Sequence, residues 1–464
     1  MTENRGQLES ILGALLARRK SQSKLRMLNI APGSSVDFSS NGYLSLSTNL
    51  AVQKALLCRL EAQVAESNSP GSRKSILGSG GSRLLDGNSS FAEALEAKIA
   101  NFHKSEAALL FTSAYDANTG LLGCVPQPGD VIVYDELIHA SVHEGMRISR
   151  AAKRIPFAHD SVSATHYSQN AGNRIKKPSR QSKNQGLDDV LKQLSSDERV
   201  ARGKTNVFIC VEGLYSMDGD IPLLEDIVKA VDRRLPSRNG YIIVDEAHSV
   251  GTFGDKGRGL VCQLGLEDRV WARVIGFGKA LGCAGGVVLC SSTTRSYLIN
   301  YARSLIYTTS MAFTSLASID VVYDYLISGQ SDLSRHNLEA LIRYTHRQLY
   351  ALYTHLHPDR SILHVDETPF RSPIIPIFTI YPRDLAGHCQ RSGFMVRPIV
   401  APTVPAGSER VRVCLHSANT KEQVDGLCTA IEVWVQSRVV ATSETRDNYL
   451  EATNVLTKQD KPQL

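Results

Sequence analysis

Apolar positions along this chain alternate between two rhythms. Continuous apolar runs over 107–111, 131–134, 206–211, 241–244, 274–277 and 286–290 read as strands buried on both faces. Between them the spacing turns helical, as in Phe91, Leu95, Ile99 and Phe102, and again in Leu223, Ile227 and Val231 over 222–234. Apolar strands separated by helices predict an α/β fold with a mostly parallel sheet. After residue 310 the pattern changes. Helices are expected over 311–328, 332–356 and 420–438, with strands over 372–381, 394–396 and 410–415. The predicted organisation is an N-terminal segment (1–60), a large domain (61–310), a smaller C-terminal α/β domain (311–438) and a polar tail (439–464). The N-terminal segment is expected to hold an amphipathic helix with Leu8, Leu12, Leu15 and Leu16 on one side, a short strand over 36–40 and a helix from about Leu50.

Two stretches depart from both rhythms. Residues 78–87, Gly78-Ser-Gly-Gly-Ser-Arg83-Leu-Leu-Asp-Gly87, form a glycine-rich loop, which is either plain surface or a gate over a ligand. Residues 161–186 are polar and carry Arg174, Lys176, Lys177, Arg180 and Lys183, the signature of an exposed insertion.

Composition narrows the classes. The 464 residues are 42% hydrophobic, enough for a real core, and the formal net charge is +6. A weakly basic balance suits anionic substrates, and no aromatics interleave the basic run, so nucleic acid is not an expected partner. Nine cysteines without a CxxC pair read as reduced thiols, not as a disulfide scaffold or zinc site. The first twenty residues do not read as a secretory signal, and Glu3 and Glu9 argue against a presequence. No stretch is long and apolar enough to span a bilayer. A cytoplasmic location is expected. The final Pro-Gln-Leu shares only its leucine with the Ser-Lys-Leu peroxisomal address, which leaves the peroxisome as the alternative.

Candidate chemistry gathers after the strands, where open parallel sheets bind ligands. Asp245 closes the run 241–244 and can pair with a protonated ring nitrogen, or simply cap a turn. His248 follows three residues later, as a ring-oxygen contact or an ordinary buried histidine. Lys279 sits in Gly276-Phe-Gly-Lys-Ala-Leu-Gly282, where small neighbours admit a bulky ligand and a desolvated lysine can form a Schiff base. Its ordinary reading is a surface lysine in a turn. His139 can stack on a ring. The segment 113–118 begins a helix whose backbone donors can bind phosphate, or is a generic helix start. Arg410 and Arg412 alternate with Val411 and Val413, so one can clamp a carboxylate unless the strand face is merely solvated. The stiff turn 401–407 positions Thr403.

Taken in order, these strings resemble the α-oxoamine synthases, a fold-type I family dependent on pyridoxal 5'-phosphate (PLP). The resemblance covers roughly residues 8–435. It is carried by Phe38-Ser-Ser-Asn-Gly-Tyr-Leu44, Gly80-Gly-Ser-Arg-Leu-Leu-Asp-Gly87, Glu212-Gly-Leu-Tyr-Ser-Met-Asp-Gly-Asp220, Val244-Asp-Glu-Ala-His-Ser-Val-Gly251, Gly257-Arg-Gly259, Phe277-Gly-Lys-Ala-Leu-Gly282 and Ile306-Tyr-Thr-Thr-Ser-Met311. The oxononanoate synthase branch fits best, in a eukaryotic, fungal-like form. The resemblance implies decarboxylative condensation of an amino acid, L-alanine first, with an acyl thioester on CoA or a carrier protein. It implies that Lys279 anchors PLP, Asp245 pairs with the pyridine nitrogen, His248 contacts the 3'-oxygen and His139 stacks on the ring. Ser216, Ala114 and Tyr115 fall at cofactor contacts. Thr308 and Thr309 would reach the phosphate from a partner subunit, implying a homodimer with shared sites. Arg412, Thr403, Asn41 and Arg26 match substrate positions, and no metal is implied.

Three positions depart from the family pattern. Gly276 stands where a phosphate-binding threonine or serine is usual, Ala114 replaces a frequent glycine, and Val400 replaces an arginine. Restoring Gly276→Thr is therefore expected to tighten PLP. Val400 and the insertion leave open a relative that releases a polyketide or fatty acyl chain, and Gly276 leaves open a weakly PLP-binding scaffold subunit.

Overall fold

The apolar runs become strands because they are short and wholly or largely apolar, several of them rich in valine and isoleucine, and both faces find helices to cover them. In a computed structural model, residues 7–22, 24–28, 30–67, 75–162 and 182–439 are described. The strands in chain order are β1 (Val36–Asp37), β2 (Ala107–Phe111), β3 (Val131–Asp135), β4 (Lys153–Phe157), β5 (Val207–Glu212), β6 (Gly240–Asp245), β7 (Ala272–Gly276), β8 (Gly286–Cys290), β9 (Ile374–Phe378), β10 (Phe394–Met395), β11 (Arg397–Ile399) and β12 (Arg410–Cys414). Seven of them form one sheet in the order β2-β8-β7-β6-β5-β3-β4. Only β8 runs against its neighbours, so the sheet is mixed but mostly parallel, as the sequence predicts.

Alternation along β5 shows both covered faces. Val207, Ile209 and Val211 join a core with Leu191 and Ile227. Phe208 and Cys210 join the opposite core with Leu121 and Val142. The sheet is a wall between two helical layers, and its strand ends form the ledge on which the site stands.

A smaller three-stranded antiparallel sheet, β11-β12-β9, follows in the C-terminal part. The helices Phe313–Ile327 and Asp332–Leu356 precede it, and a helix over 421–439 follows. Contacts divide the chain into residues 1–36 and 37–464, and both sheets of three or more strands lie in the second unit. In the first unit a helix forms over Gln7–Ser21, yet none of its residues is buried, so the expected leucine stripe covers no core. The basic insertion falls largely on residues 163–181, and the tail on 440–464, outside the described residues. Among the described residues no helix is long and apolar enough to cross a membrane, and all nine cysteines are free.

The smaller sheet is tied to the larger one through the turn 215–220. Arg410 of β12 is fully buried and pairs with buried Asp218, while its Nε donates to the Ser408 carbonyl at 2.8 Å and its guanidinium lies 5.0 Å from the Phe378 ring centre. Next in the turn, Gly219 (φ +71°) packs so closely on Ser372 and Ile374 that no side chain would fit. Removing one partner of a buried pair strands the other charge, at about 3–5 kcal/mol. Asp218→Ala is expected to destabilise the protein by that amount in denaturant unfolding. The double variant Asp218→Leu/Arg410→Met should recover much of the loss. A double variant as unstable as the single one would show that charge burial is not the cause.

Candidate active site

Parallel register sets the centre of the site. β5 and β6 pair so that Glu212 and Asp245, their last residues, stand side by side. Both are buried. The Asp245 carboxylate accepts from the Ala247 backbone N–H at 2.9 Å through Oδ1 and from Asn118 Nδ2 at 2.7 Å through Oδ2. Burial, and then the neighbouring Asp245 charge, pushes the Glu212 carboxyl well above its usual range. Lys279 is the cation whose charge is coupled to both acids. Burial lowers its pKa, and Asp245 and Glu212 hold it partly back. An amine of reduced basicity is the state needed for attack on an aldehyde.

Two histidines flank the pair. His139 caps the helix Ala140–Ile148, and its Nδ1 accepts from the Ser141 backbone N–H at 3.2 Å. That bond leaves the proton of the neutral ring on Nε2. Ser141 Oγ also touches Nδ1 at 2.8 Å and accepts from Asn118 Nδ2 at 2.9 Å. A continuous chain therefore runs from Asp245 through Asn118 and Ser141 to His139. Burial lowers the His139 pKa, offset by Asp245, so the ring is neutral. His248 is buried on the other side, with Nδ1 2.7 Å from the Tyr43 hydroxyl, which donates to Asn41 Oδ1 at 3.2 Å. Burial, then the Lys279 and Arg412 charges, drives its pKa well below the ordinary value.

The candidate phosphate donors lie at the start of the helix Ala114–Cys124, capped by Ser113, whose side chain accepts from the Asp116 N–H. The N-terminus of that helix sits hard against the sheet. A Cβ on Gly286 would lie 2.5 Å from the Ala114 nitrogen, and one on Gly276 would lie 3.2 Å from the Ala114 Cβ and 3.0 Å from the Ala247 Cβ. Tyr115 follows, 45% exposed. The helix is long enough for its dipole and free N–H groups to attract an anion.

Arg412 reaches in from β12 and is buried. Nη1 donates to the Ser216 carbonyl at 3.0 Å and Nη2 to the Ser39 carbonyl at 3.3 Å, while buried Nε has no partner. The strand face is therefore not solvated. The structure thus gathers Asp245, Lys279, His139, His248, Asn41, Ser216 and Arg412, with Ala114 beside Gly276. Thr308 is partly buried and lines a small space with Phe111, Thr112 and Ser304, whereas Thr309 is exposed. Thr403 is exposed, its N–H bonded to the Val400 carbonyl at 3.0 Å. Arg26 belongs to the separate unit 1–36. Glu246 forms no salt bridge among the described residues. It is fully buried and accepts from Val261 N–H at 3.0 Å and Ser249 Oγ at 3.1 Å, pinning the loop before the helix Leu260–Gln263.

Sequence reasoning missed Glu212, Asn118, Ser141 and Tyr43, and a second charged cluster. His159 Nδ1 lies 2.9 Å from Asp135 Oδ1 and its Nε2 3.2 Å from Asp220 Oδ2, with the Tyr215 ring edge-on at 4.5 Å. Burial opposes protonation, but the two carboxylates win and raise the His159 pKa to about 10. This imidazolium fixes the far end of the turn that Asp218 and Arg410 hold from the other side.

A capped helix start against the sheet, a lysine coupled electrostatically to a strand-end aspartate, and a buried arginine are the arrangement of a fold-type I PLP-dependent transferase. The residues fit the cofactor: free N–H groups for the phosphate, Asp245 for the ring nitrogen and Lys279 for the aldehyde. Comparison with known proteins agrees. The profile of the family "Aminotransferase class I and II" matches residues 34–431. An 8-amino-7-oxononanoate synthase from Emericella nidulans is 49% identical over 430 residues, 92% of this chain and 96% of that protein. The aminoacyl transferase sphA of Byssochlamys spectabilis is 34% identical over 435 residues, 91% of this chain and 86% of its own length. A solved structure of SPT (serine palmitoyltransferase) with PLP superposes with a TM-score of 0.74 at 21% identity, covering 94% of this chain and 100% of that one, a likeness of fold. The chain belongs to this PLP-dependent family, in its α-oxoamine synthase branch.

The His159 linkage has a definite sign. Its folded pKa lies above the unfolded value near 6.5, so its stabilisation is complete below about pH 6.5 and is lost as pH rises through about 10. Unfolding free energy measured from pH 6 to 10 should fall more steeply in the native protein than in His159→Gln. Parallel curves would remove the charged clamp.

Proposed function

We propose that the protein condenses an amino acid, L-alanine first, with an acyl thioester and releases CO₂ and the free thiol, as an 8-amino-7-oxononanoate synthase does. The carrying observation is Lys279 together with the strand-end Asp245 in a chain 49% identical, nearly end to end, to a fungal protein of that name. Bound PLP would supply a cationic ring able to absorb the electrons released at the amino acid's Cα.

This chain's residues would do the rest. Arg412 would take the substrate carboxylate on its free Nε and hold the Cα–H bond over Lys279. Lys279 Nζ would be the base for that proton, with its basicity already lowered by burial. Asp245, fixed by Asn118 and Ala247, would keep the ring nitrogen charged. Neutral His139 can lie against the ring without repelling it. His248, oriented by Tyr43, would meet the 3'-oxygen. Because Thr309 is exposed, we place it, with Thr308, at a partner's phosphate in a homodimer with shared sites. The acyl donor would be pimeloyl-CoA or a pimeloyl carrier protein. The likeness to sphA and the apolar Val400 favour a second reading, a long neutral acyl chain in secondary metabolism.

Two measurements test this. PLP should give the protein a saturable visible absorbance band that is absent in Lys279→Ala, and an unchanged band in that variant would remove Lys279 as the anchor. Thiol release with L-alanine, glycine and L-serine against pimeloyl and long neutral acyl thioesters should be greatest for L-alanine with pimeloyl. Preference for the long neutral chain would establish the second reading instead.

A further inference from the structure

β11 and β12 pair with Arg397 directly opposite Arg412. Cross-strand partners in an antiparallel ladder lie about 4.5–5.5 Å apart and point to the same face. Arg397 therefore shares the face on which Arg412 meets the turn at Ser216. Val411 and Val413, in register with Ile377 and Ile375, occupy the other face. Like charges placed directly opposite each other repel. Among the described residues no carboxylate pairs with either arginine, although Arg410, two positions away on the same face, has Asp218. Arg412 spends its two Nη groups on backbone carbonyls and keeps a buried, unpartnered Nε. Arg397 and Arg412 thus face one another with no carboxylate paired to either among the described residues.

The two differ in depth. Arg412 is buried near Lys279, and its charge is felt there. Arg397 is on the edge strand, partly open, a few residues before the exposed turn with Thr403. The deep arginine suits the small amino acid. The outer one, partly open on the edge strand, suits the longer substrate. Val400, just after β11, offers no charge of its own.

We propose that Arg397 is an acyl-specificity residue that binds a carboxylate at the far end of the acyl chain, so that the site selects ω-carboxyacyl thioesters over neutral ones of equal length. The proposal rests on the condensation reading above. A charge-assisted, bidentate contact of this kind is worth at least about tenfold in selectivity.

The test uses the PLP-loaded protein with L-alanine and two thioesters of equal chain length, pimeloyl-CoA and heptanoyl-CoA. The native protein is expected to favour pimeloyl-CoA at least about tenfold in kcat/KM. Arg397→Gln should lose most of that preference through a higher KM for pimeloyl-CoA, and Arg397→Lys should retain part of it. Calorimetric titration of pimeloyl-CoA, with no turnover, should show the same weakening in Arg397→Gln. An undiminished preference in Arg397→Gln overturns the proposal while leaving the condensation reading intact. So does a rise in KM confined to L-alanine, which would put Arg397 on the amino acid instead. No thiol release by the native protein from either thioester would overturn both.

Discussion

Two carboxylates stand side by side at the ends of β5 and β6, and the site is organised by the need to tolerate them. Parallel pairing leaves no freedom here, because the register that buries Ile209, Val211, Ile242 and Val244 also brings Glu212 level with Asp245. Two buried like charges cannot both persist without donors and a cation. Asn118 and Ala247 satisfy Asp245, burial pushes Glu212 toward its neutral form, and Lys279 supplies the positive charge. The same compromise yields a hydrogen-bonded acid placed for a ring nitrogen and an amine of reduced basicity. Fold constraint and chemical requirement coincide at these residues.

A second constraint joins the sheets. The turn 215–220 is held on one side by His159 with Asp135 and on the other by Arg410, Arg412 and Ser372. One short turn therefore sets the distance between Arg412, a residue of the smaller sheet, and Lys279, a residue of the larger. A shift of the smaller sheet would have to break the buried Asp218–Arg410 pair or leave Asp220 behind on His159. Substrate carboxylate and reacting Cα are consequently referenced to one rigid element, the preorganisation on which positioning depends.

Much of this was legible in the sequence. Strands such as 107–111 and 286–290 were readable to the residue because they are short, wholly apolar and bounded by turns. β4 was not. Its sequence, Lys-Arg-Ile-Pro-Phe, carries two charges and a proline, which only an edge position tolerates, and edge position is a property of the assembled sheet. β11 was missed because three residues carry no period. Asp245 and Lys279 were visible through strand-end position and small neighbours. Glu212 offered the same strand-end signal as Asp245 and was overlooked. The His159 cluster had no local signal, since its partners lie 24 and 61 residues away and only the fold brings them together.

Gly276 shows where a sequence argument needs packing to be complete. Read alone, its missing hydroxyl looks like a lost phosphate donor. In the folded chain the position is tight, with the Ala247 and Ala114 Cβ atoms 3.0 and 3.2 Å from any Cβ placed there. A threonine at 276 would bring its hydroxyl only by displacing one of them, and Ala114 belongs to the helix start that carries the phosphate donors. The two departures from the family pattern, alanine at 114 and glycine at 276, are therefore one steric solution. The chain gives up a side-chain donor and keeps the N-terminus of the helix Ala114–Cys124 pressed against β7 and β8, where its backbone N–H groups and dipole act at close range.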